Sequence, residues 1–177
     1  MDTVDRRTRS RIMASVGQRD TGPEMRIRRA LHRLGLRYRL HDRRLPGSPD
    51  IVFPRFRSVV FVHGCFWHVH KCCKLATEPA SRKDFWREKF EANRKRDREN
   101  YDSLLASGWR VLVVWECALK GKKDEELQKL GAHVRSWLLS KERFGEIGHS
   151  DMVTVHDLET RVDGDGGKHG KGKRDER

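Results

Sequence analysis

The segment FVHGCFWHVHKCC, from Phe61 to Cys73, is the part of the sequence that most constrains the fold. It holds three cysteines and three histidines in thirteen positions, and an apolar run, Val59 to Val62, leads into it. Such a run predicts a buried strand. The predicted strand therefore leads directly into a loop whose side chains can bind a metal ion.

Soft or borderline ligands for zinc can be drawn from this loop and from one distant cysteine. Two disulfides are the alternative use of four cysteines, but the interleaved histidines and an expected reducing compartment favour a metal. A closed tetrahedral site of the structural type could use Cys65, His70, either Cys72 or Cys73, and Cys117.

Two further histidines of the loop, His63 and His68, would remain unligated in that arrangement. An unligated histidine can carry out proton transfer, because its ordinary pKa lies close to neutrality. His68 is also within reach of the cysteines, so it is a competing zinc ligand.

The charge balance points to a polyanionic partner. The 177 residues include 39 Lys+Arg against 26 Asp+Glu, a formal net charge of +13, and the length suits one domain. Residues 163–177 contribute only +1 of that charge, so the excess lies elsewhere. Residues 1–44 carry thirteen Arg and no Lys against five acids, and the planar guanidinium suits phosphate contacts.

Hydrophobic periodicity predicts the order helix, three strands, helix, strand, helix. The sequence lacks an apolar run long enough to span a bilayer and a signal-peptide core, so we expect a cytosolic protein. Residues 2–16 predict a basic helical arm that a partner could order, with a solvated terminus as the alternative. The predicted elements are a helix from Thr21 to Gly35, strands at 36–40, 50–53, 58–62 and 110–115, a helix at 81–106 opened by a Ser81/Asp84 capping box, and a helix at 124–139.

Five features occur along the chain: LPGSPD (45–50), FVHGCFWHVHKC (61–72), DFWREK (84–89), Asn93 and GWRVLVVWECAL (108–119). Together, over residues 6–140, they resemble the very short patch repair endonucleases. The resemblance implies the fold of restriction enzymes of the PD-(D/E)xK class, an α/β fold with a mixed central sheet flanked by helices, a structural zinc site and a flexible N-terminal arm. The expected divisions are a DNA-contacting arm at 1–20, an endonuclease domain at 21–145 and an extension at 146–177 that is disordered from 163.

The family implies a Mg2+-dependent, strand-specific nick in double-stranded DNA. The cut falls on the 5′ side of the T in a T:G mismatch left by deamination of 5-methylcytosine. A functional link to a DNA cytosine methyltransferase and to mismatch-repair proteins, and a location in the bacterial cytosol, follow from the same resemblance. We expect a monomer without membrane contact, because a single asymmetric nick needs no two-fold partner.

The resemblance also assigns roles to residues. Asp50 and the backbone carbonyl of Val62 would bind Mg2+, although better-known members have Thr at position 62. His63 would stabilise charge on the phosphate, and His68 would activate water that Glu24 helps to hold. Taken alone, Asp50 could instead be a turn residue. The zinc set carried over from the family is Cys65, His70, Cys72 and Cys117, with Cys73 as an extra cysteine that could replace Cys72.

Aromatic side chains at the tip of the loop are expected to reach DNA. Phe66 and Trp67, helped by Trp86 and by Met13 from the arm, would act as wedges between base pairs at the mismatch. Their alternative use is a local core over the zinc. Lys89 and Asn93 would add phosphate and base-edge contacts, although charges on a helix are often only a solvated face.

Two other functions fit part of this pattern. A non-catalytic, zinc-stabilised mismatch-binding or DNA-binding protein would explain the charge, the loop and the aromatics, but it leaves Asp50, His63 and His68 unexplained as a set. A nuclease of the same fold with another DNA substrate is compatible with the change at Val62.

Overall fold

The computed structural model describes residues 19–149 together with strand residues Val153–Thr154. The predicted arm at 2–16, with Met13, and the predicted disorder from 163 lie outside these residues. The helices are α1 Gly22–Arg33, α2 Lys83–Ala106, α3 Glu116–Leu119 and α4 Asp124–Leu139, and a 3-10 turn spans Pro54–Phe56. The strands are β1 Arg39–Leu40, β2 Ile51–Phe53, β3 Ser58–His63, β4 Arg110–Trp115, β5 Phe144–Ile147 and β6 Val153–Thr154.

These strands form one mixed sheet in the order β1-β2-β3-β4-β5-β6. The first three pair antiparallel, β3 and β5 both run parallel to β4, and β6 is antiparallel to β5. The parallel step from β3 to β4 needs a long crossover, which α2 provides. The predicted α/β class, with a mixed sheet and flanking helices, is confirmed.

Helices cover both faces of the sheet, so the central strands are apolar on each side. One face packs Ile51, Val60 and Leu112 against α1 and α4, and the other packs Val59 and Val111 against α2. Apart from Arg110, every residue of β4 is buried, which explains why RVLVVW reads as a continuous apolar run. Among the described residues, no helix is both long and apolar enough to cross a membrane.

The predictions for β4 and α4 match the observed bounds, but other boundaries differ. The predicted capping box at Ser81 is wrong, because α2 begins at Lys83 after Arg82, whose φ is +53° and whose side chain makes no capping bond. The first strand is confined to Arg39–Leu40. Strands β5 and β6 were not predicted, and the expected domain boundary at 145 falls inside β5.

Candidate active site and metal centre

Three strand ends meet at one edge of the sheet and bring the predicted site residues together. In the pairing of β2 with β3, Ile51 lies opposite Val60, so Asp50 comes alongside the end of β3. In the parallel pairing, His63 lies opposite Trp115, so the residues that follow β3 and β4 are also neighbours. Strand ends of α/β sheets commonly carry functional sites.

Asp50 is anchored to β3 by its own carboxylate. Its Oδ2 accepts a hydrogen bond of 2.7 Å from the backbone N–H of Val62. Burial raises the pKa of Asp50 to about 7, the Val62 N–H acts in the opposite direction, and the nearby Glu24 charge raises it further. A carboxylate whose charge is poorly compensated in this way is well suited to bind a cation.

Glu24 lies on the Asp50 side of the site and forms part of the N-terminal cap of α1. Its carboxylate accepts from the Thr21 hydroxyl at 2.9 Å, and the Thr21 side chain in turn accepts from the Glu24 backbone. The same carboxylate is ion-paired with Arg28 in the interior. Glu24 thus contacts the start of α1 and Arg28 directly. That it also holds water beside His68 stays a prediction.

His68 is paired with a residue that sequence analysis did not identify. Its Nδ1 lies 2.5 Å from Asp97 Oδ2, and these two groups form a cluster with His63 that is separate from the cysteines. Because an ionised carboxylate can only accept, Nδ1 is the donor and Nε2 is left to accept a proton. The alternative of His68 as a zinc ligand thus gains no support from the geometry.

His63 is buried at 7% exposure and stacks on His68 with ring centroids 3.7 Å apart. Its Nε2 lies 2.5 Å from the Tyr101 hydroxyl. Desolvation lowers the pKa of His63 well below its usual range, and the nearby His68 and Arg96 charges act in the same direction. Burial therefore favours the uncharged form of the His63 ring.

A single stripe of α2 supports the loop from behind. Asn93, Asp97 and Tyr101 recur at four-residue spacing, which places them on one helix face. Asn93 is buried and donates from Nδ2 to the backbone carbonyl of Trp67 at 3.0 Å. This spacing was the sequence signal that could have identified Asp97 and Tyr101.

Four potential zinc ligands converge where β3 and β4 end. The ligand atoms of Cys65, His70, Cys73 and Cys117 all lie within 4.8 Å of one another. His70 Nδ1 is 3.6 Å from the sulfur of Cys65 and 3.4 Å from that of Cys117. Burial raises the pKa of the Cys65 and Cys117 thiols, because it disfavours the charged thiolate form. A metal ion bound to the thiolates would offset this penalty.

Of the two adjacent cysteines, the structure places Cys73 and not Cys72 in this cluster. Cys72 is exposed and its φ is +56°, whereas Cys73 joins the cluster. The backbone reverses direction at this left-handed residue, so consecutive side chains point to different surroundings. The sequence contains both cysteines but not that turn.

The predicted DNA-contacting aromatics contact one another beside the loop. Phe66 lies 5.2 Å from Trp67 and 5.3 Å from Trp86 between ring centroids, and Phe90 also joins them. Phe66, Trp67 and Trp86 are all partly exposed, and Lys89 is exposed. The aromatic side chains therefore form a cluster that packs together and remains partly exposed to solvent.

Comparisons with known proteins identify the family of this chain. A family model described as DNA mismatch endonuclease Vsr matches residues 1–74. The type II nicking enzyme V.XorIIP of Xanthomonas oryzae pv. oryzae is 47% identical over 137 residues, which is 77% of this chain and 96% of the relative. DNA mismatch endonuclease Vsr of Escherichia coli is 42% identical over 155 residues, covering 88% and 97%. The chain therefore belongs to the family of very short patch repair DNA endonucleases.

Proposed function

We propose that this endonuclease nicks double-stranded DNA on the 5′ side of the T in a T:G mismatch, in a Mg2+-dependent reaction. The observation that carries the proposal is the meeting of Asp50, Val62, His63 and His68 at one sheet edge, in a chain 42% identical to a protein named a mismatch endonuclease. The proposed fold is that of the restriction enzymes. Deaminated 5-methylcytosine would be the source of the mismatch.

The donor chemistry beside Asp50 fits Mg2+, a hard cation that prefers oxygen ligands. Asp50 keeps 17% of its side-chain surface exposed, and its pKa is raised by burial first and by the nearby Glu24 charge second. We propose Asp50 and the carbonyl of Val62 as the protein ligands. A bound Mg2+ would polarise the scissile phosphate and stabilise its developing charge.

The remaining steps belong to protein side chains. Asp97 holds His68 in the tautomer that has Nε2 as its proton acceptor, so His68 is the proposed base for the attacking water. His63 is proposed to keep the His68 ring in place by stacking, because its buried neutral ring is poorly suited to supplying charge. Glu24, on the Asp50 side of the site, is proposed to help hold the attacking water.

A structural zinc ion is the proposed occupant of the cysteine cluster, held by Cys65, His70, Cys73 and Cys117. Zinc bonds of about 2.3 Å to sulfur and about 2.0 Å to nitrogen, at a tetrahedral angle, separate the two ligand atoms by about 3.5 Å. The 3.4 and 3.6 Å distances between His70 Nδ1 and the two sulfurs agree with that value. Zinc would fix the shape of the loop and leave the chemistry to Asp50 and His68.

Recognition of the mismatch is assigned to the aromatic group and the surrounding basic surface. Phe66, Trp67 and Trp86 are proposed to enter the base stack where a mismatch makes unstacking least costly. Asn93 positions Trp67 by donating a hydrogen bond to the backbone carbonyl of Trp67. The exposed Lys89 is available for phosphate contact. Met13 is proposed to approach from the N-terminal arm. We further propose a monomer in the bacterial cytosol, linked functionally to a DNA cytosine methyltransferase and mismatch-repair proteins.

The test is a nicking assay on end-labelled duplexes that differ only in a T:G or a C:G pair at one position. A single nick beside the mismatched T, seen only with Mg2+, is the expected result. Equal cutting of both duplexes would overturn the mismatch specificity, and tight binding without any cut would identify a non-catalytic mismatch-binding protein.

A further inference from the structure

A buried arginine and a histidine outside the predicted catalytic set connect Glu24 to Asp50. Arg28 is 5% exposed, and its guanidinium is hydrogen-bonded to Glu24, to Asp20 at 2.5 Å and to His41 Nε2 at 2.8 Å. The ring of His41 reaches Asp50 on its other side, where Nδ1 lies 3.8 Å from Oδ1. Neither Arg28 nor His41 was singled out by the sequence.

The guanidinium also explains why Asp20, Glu24 and His41 are poor candidates for a second metal site. Their ligand atoms lie within 4.8 Å of one another, which is close enough to surround an ion. Arg28 hydrogen-bonds to all three and therefore takes the place of a cation between them. The positive charge here is part of the chain.

The contact with Arg28 fixes the tautomer of His41. A guanidinium has donors and no acceptor, so the 2.8 Å contact assigns the lone pair of His41 Nε2 to Arg28. The carboxylates of Glu24 and Asp20 also face this nitrogen, but at the longer distances of 3.6 and 3.8 Å. The ring proton of neutral His41 then lies on Nδ1, the nitrogen that faces Asp50 Oδ1. At 3.8 Å this is longer than a hydrogen bond, so the attraction is electrostatic.

Backbone structure holds His41 in this place. Leu40 pairs with Ile51 across β1 and β2, so His41 lies next to Asp50, and its backbone N–H approaches the Asp50 carbonyl at 3.5 Å. His41 also adopts a φ of +47°, a left-handed conformation that favours Gly and, among the other residues, Asn, Asp and His.

We infer that Arg28 and His41 are positioning residues that orient the Asp50 carboxylate for its metal ion: Arg28 sets the His41 tautomer, and the Nδ1–H of His41 faces Oδ1 while the Val62 N–H holds Oδ2. This inference rests on the proposed role of Asp50 as a Mg2+ ligand. Hydrogen-bonding partners of metal ligands commonly control ligand orientation and metal affinity.

The first experiment determines the tautomer of His41 by NMR of its ring nitrogens in the full chain. The expected result is a protonated Nδ1 and an unprotonated Nε2. Arg28→Met should abolish the preference for this tautomer, while Arg29→Met, on the exposed neighbour, should leave it unchanged. The opposite tautomer in the unsubstituted chain would overturn the inference, whether or not the protein cuts mismatched DNA.

The second experiment titrates Mg2+ without DNA and follows the Val62 amide resonance, which reports on Asp50 through their hydrogen bond. His41→Gly and His41→Asn both suit the positive φ, but only Asn keeps an N–H near the position of Nδ1. Gly should raise the half-saturating Mg2+ concentration about 10-fold or more, whereas Asn should stay within about threefold of the unsubstituted chain. Equal titrations for Gly and the unsubstituted chain would overturn the inference. If the Val62 amide resonance does not change on addition of Mg2+, both this inference and the proposed role of Asp50 as a Mg2+ ligand are overturned.

Discussion

The two candidate metal-binding groups near the end of β3 differ in the number of ligand atoms that each provides. The cysteine cluster brings four ligand atoms within 4.8 Å of one another, enough to close a tetrahedral site. On the other side Asp50 offers one carboxylate, held by the Val62 N–H. A complete set suits an ion that stabilises the fold, and an incomplete set leaves coordination positions for water and substrate.

Burial has opposite consequences for stability on the two sides once metal is present. Desolvation raises the pKa of the Cys65 and Cys117 thiols because it disfavours their thiolate forms. Zinc would bind the thiolates, and the free energy of that binding would add to the folding free energy. Desolvation likewise raises the pKa of Asp50, and a weakly held Mg2+ would relieve it only in part. On the proposed assignments, zinc would stabilise the loop, whereas the buried Asp50 would lower stability in return for a Mg2+ site.

The largest expected effect separates two adjacent cysteines. Cys73→Ser should abolish zinc binding and lower the free energy of unfolding by about 5 kcal/mol, because a structural site contributes directly to folding. Zinc content and thermal unfolding would measure this. Cys72→Ser is the matched control and should retain its zinc, since Cys72 is exposed. Zinc loss in the Cys72 variant alone would instead support the ligand set implied by the family.

The next effect concerns activity without loss of metal. His68→Ala should lower kcat about 10²- to 10⁴-fold by removing the proposed base. Asp97→Asn should lower kcat by up to about 10⁴-fold, because the amide no longer enforces the tautomer. Single-turnover nicking and zinc content would be measured together, with Asp102→Asn, exposed on the same helix, as control. Full activity of both variants would exclude this pair from the chemistry.

The raised pKa of Asp50 predicts a pH dependence of stability. Without Mg2+, the folded chain keeps the Asp50 proton up to about pH 7, whereas the unfolded chain releases it near the ordinary value of 3.8. The folded state therefore binds more protons in this window, and this contribution to stability falls as the pH rises from 4 to 7. Asp50→Asn should remove that slope and stabilise the Mg2+-free protein at pH 8 by about 2 kcal/mol. Denaturant unfolding across the pH range would show it, and an unchanged slope would contradict it.

The smallest effect concerns the aromatic group. Trp86→Ala should weaken binding to T:G duplexes about 10-fold, because loss of a stacking ring typically costs 1–3 kcal/mol. Binding to matched C:G duplexes should change less, which gives the internal control. Fluorescence anisotropy at one fixed salt concentration would make the measurement. Equal loss on both duplexes would indicate a general DNA contact.

The sequence predicted those parts of the fold that depend on local patterns. β4 and α4 were predicted with their observed bounds, because an apolar run and an amphipathic repeat define them without outside partners. β5 was missed because the four residues FGEI are short and acquire their strand character by pairing with β4. The start of α2 was misplaced because a left-handed residue, Arg82, stands where a capping side chain was expected.

The candidate site was predictable where one motif carried it and hidden where tertiary contacts complete it. The loop histidines and cysteines are adjacent in sequence, and Asp50 follows a proline in a recognisable turn. Asp97 and His41 come from other elements and reach the site through a helix stripe and a strand register. The choice between Cys72 and Cys73 depends on one backbone angle, which composition does not encode.

The most direct test of the difference between the two metal-binding groups is the zinc content, T:G binding and nicking of Asp50→Asn, compared with the unsubstituted chain. We expect one bound zinc ion per chain, unchanged affinity for the T:G duplex, and no detectable nick in the presence of Mg2+. Loss of zinc in the variant, or persistent nicking, would contradict the separation of a structural metal site from a catalytic one.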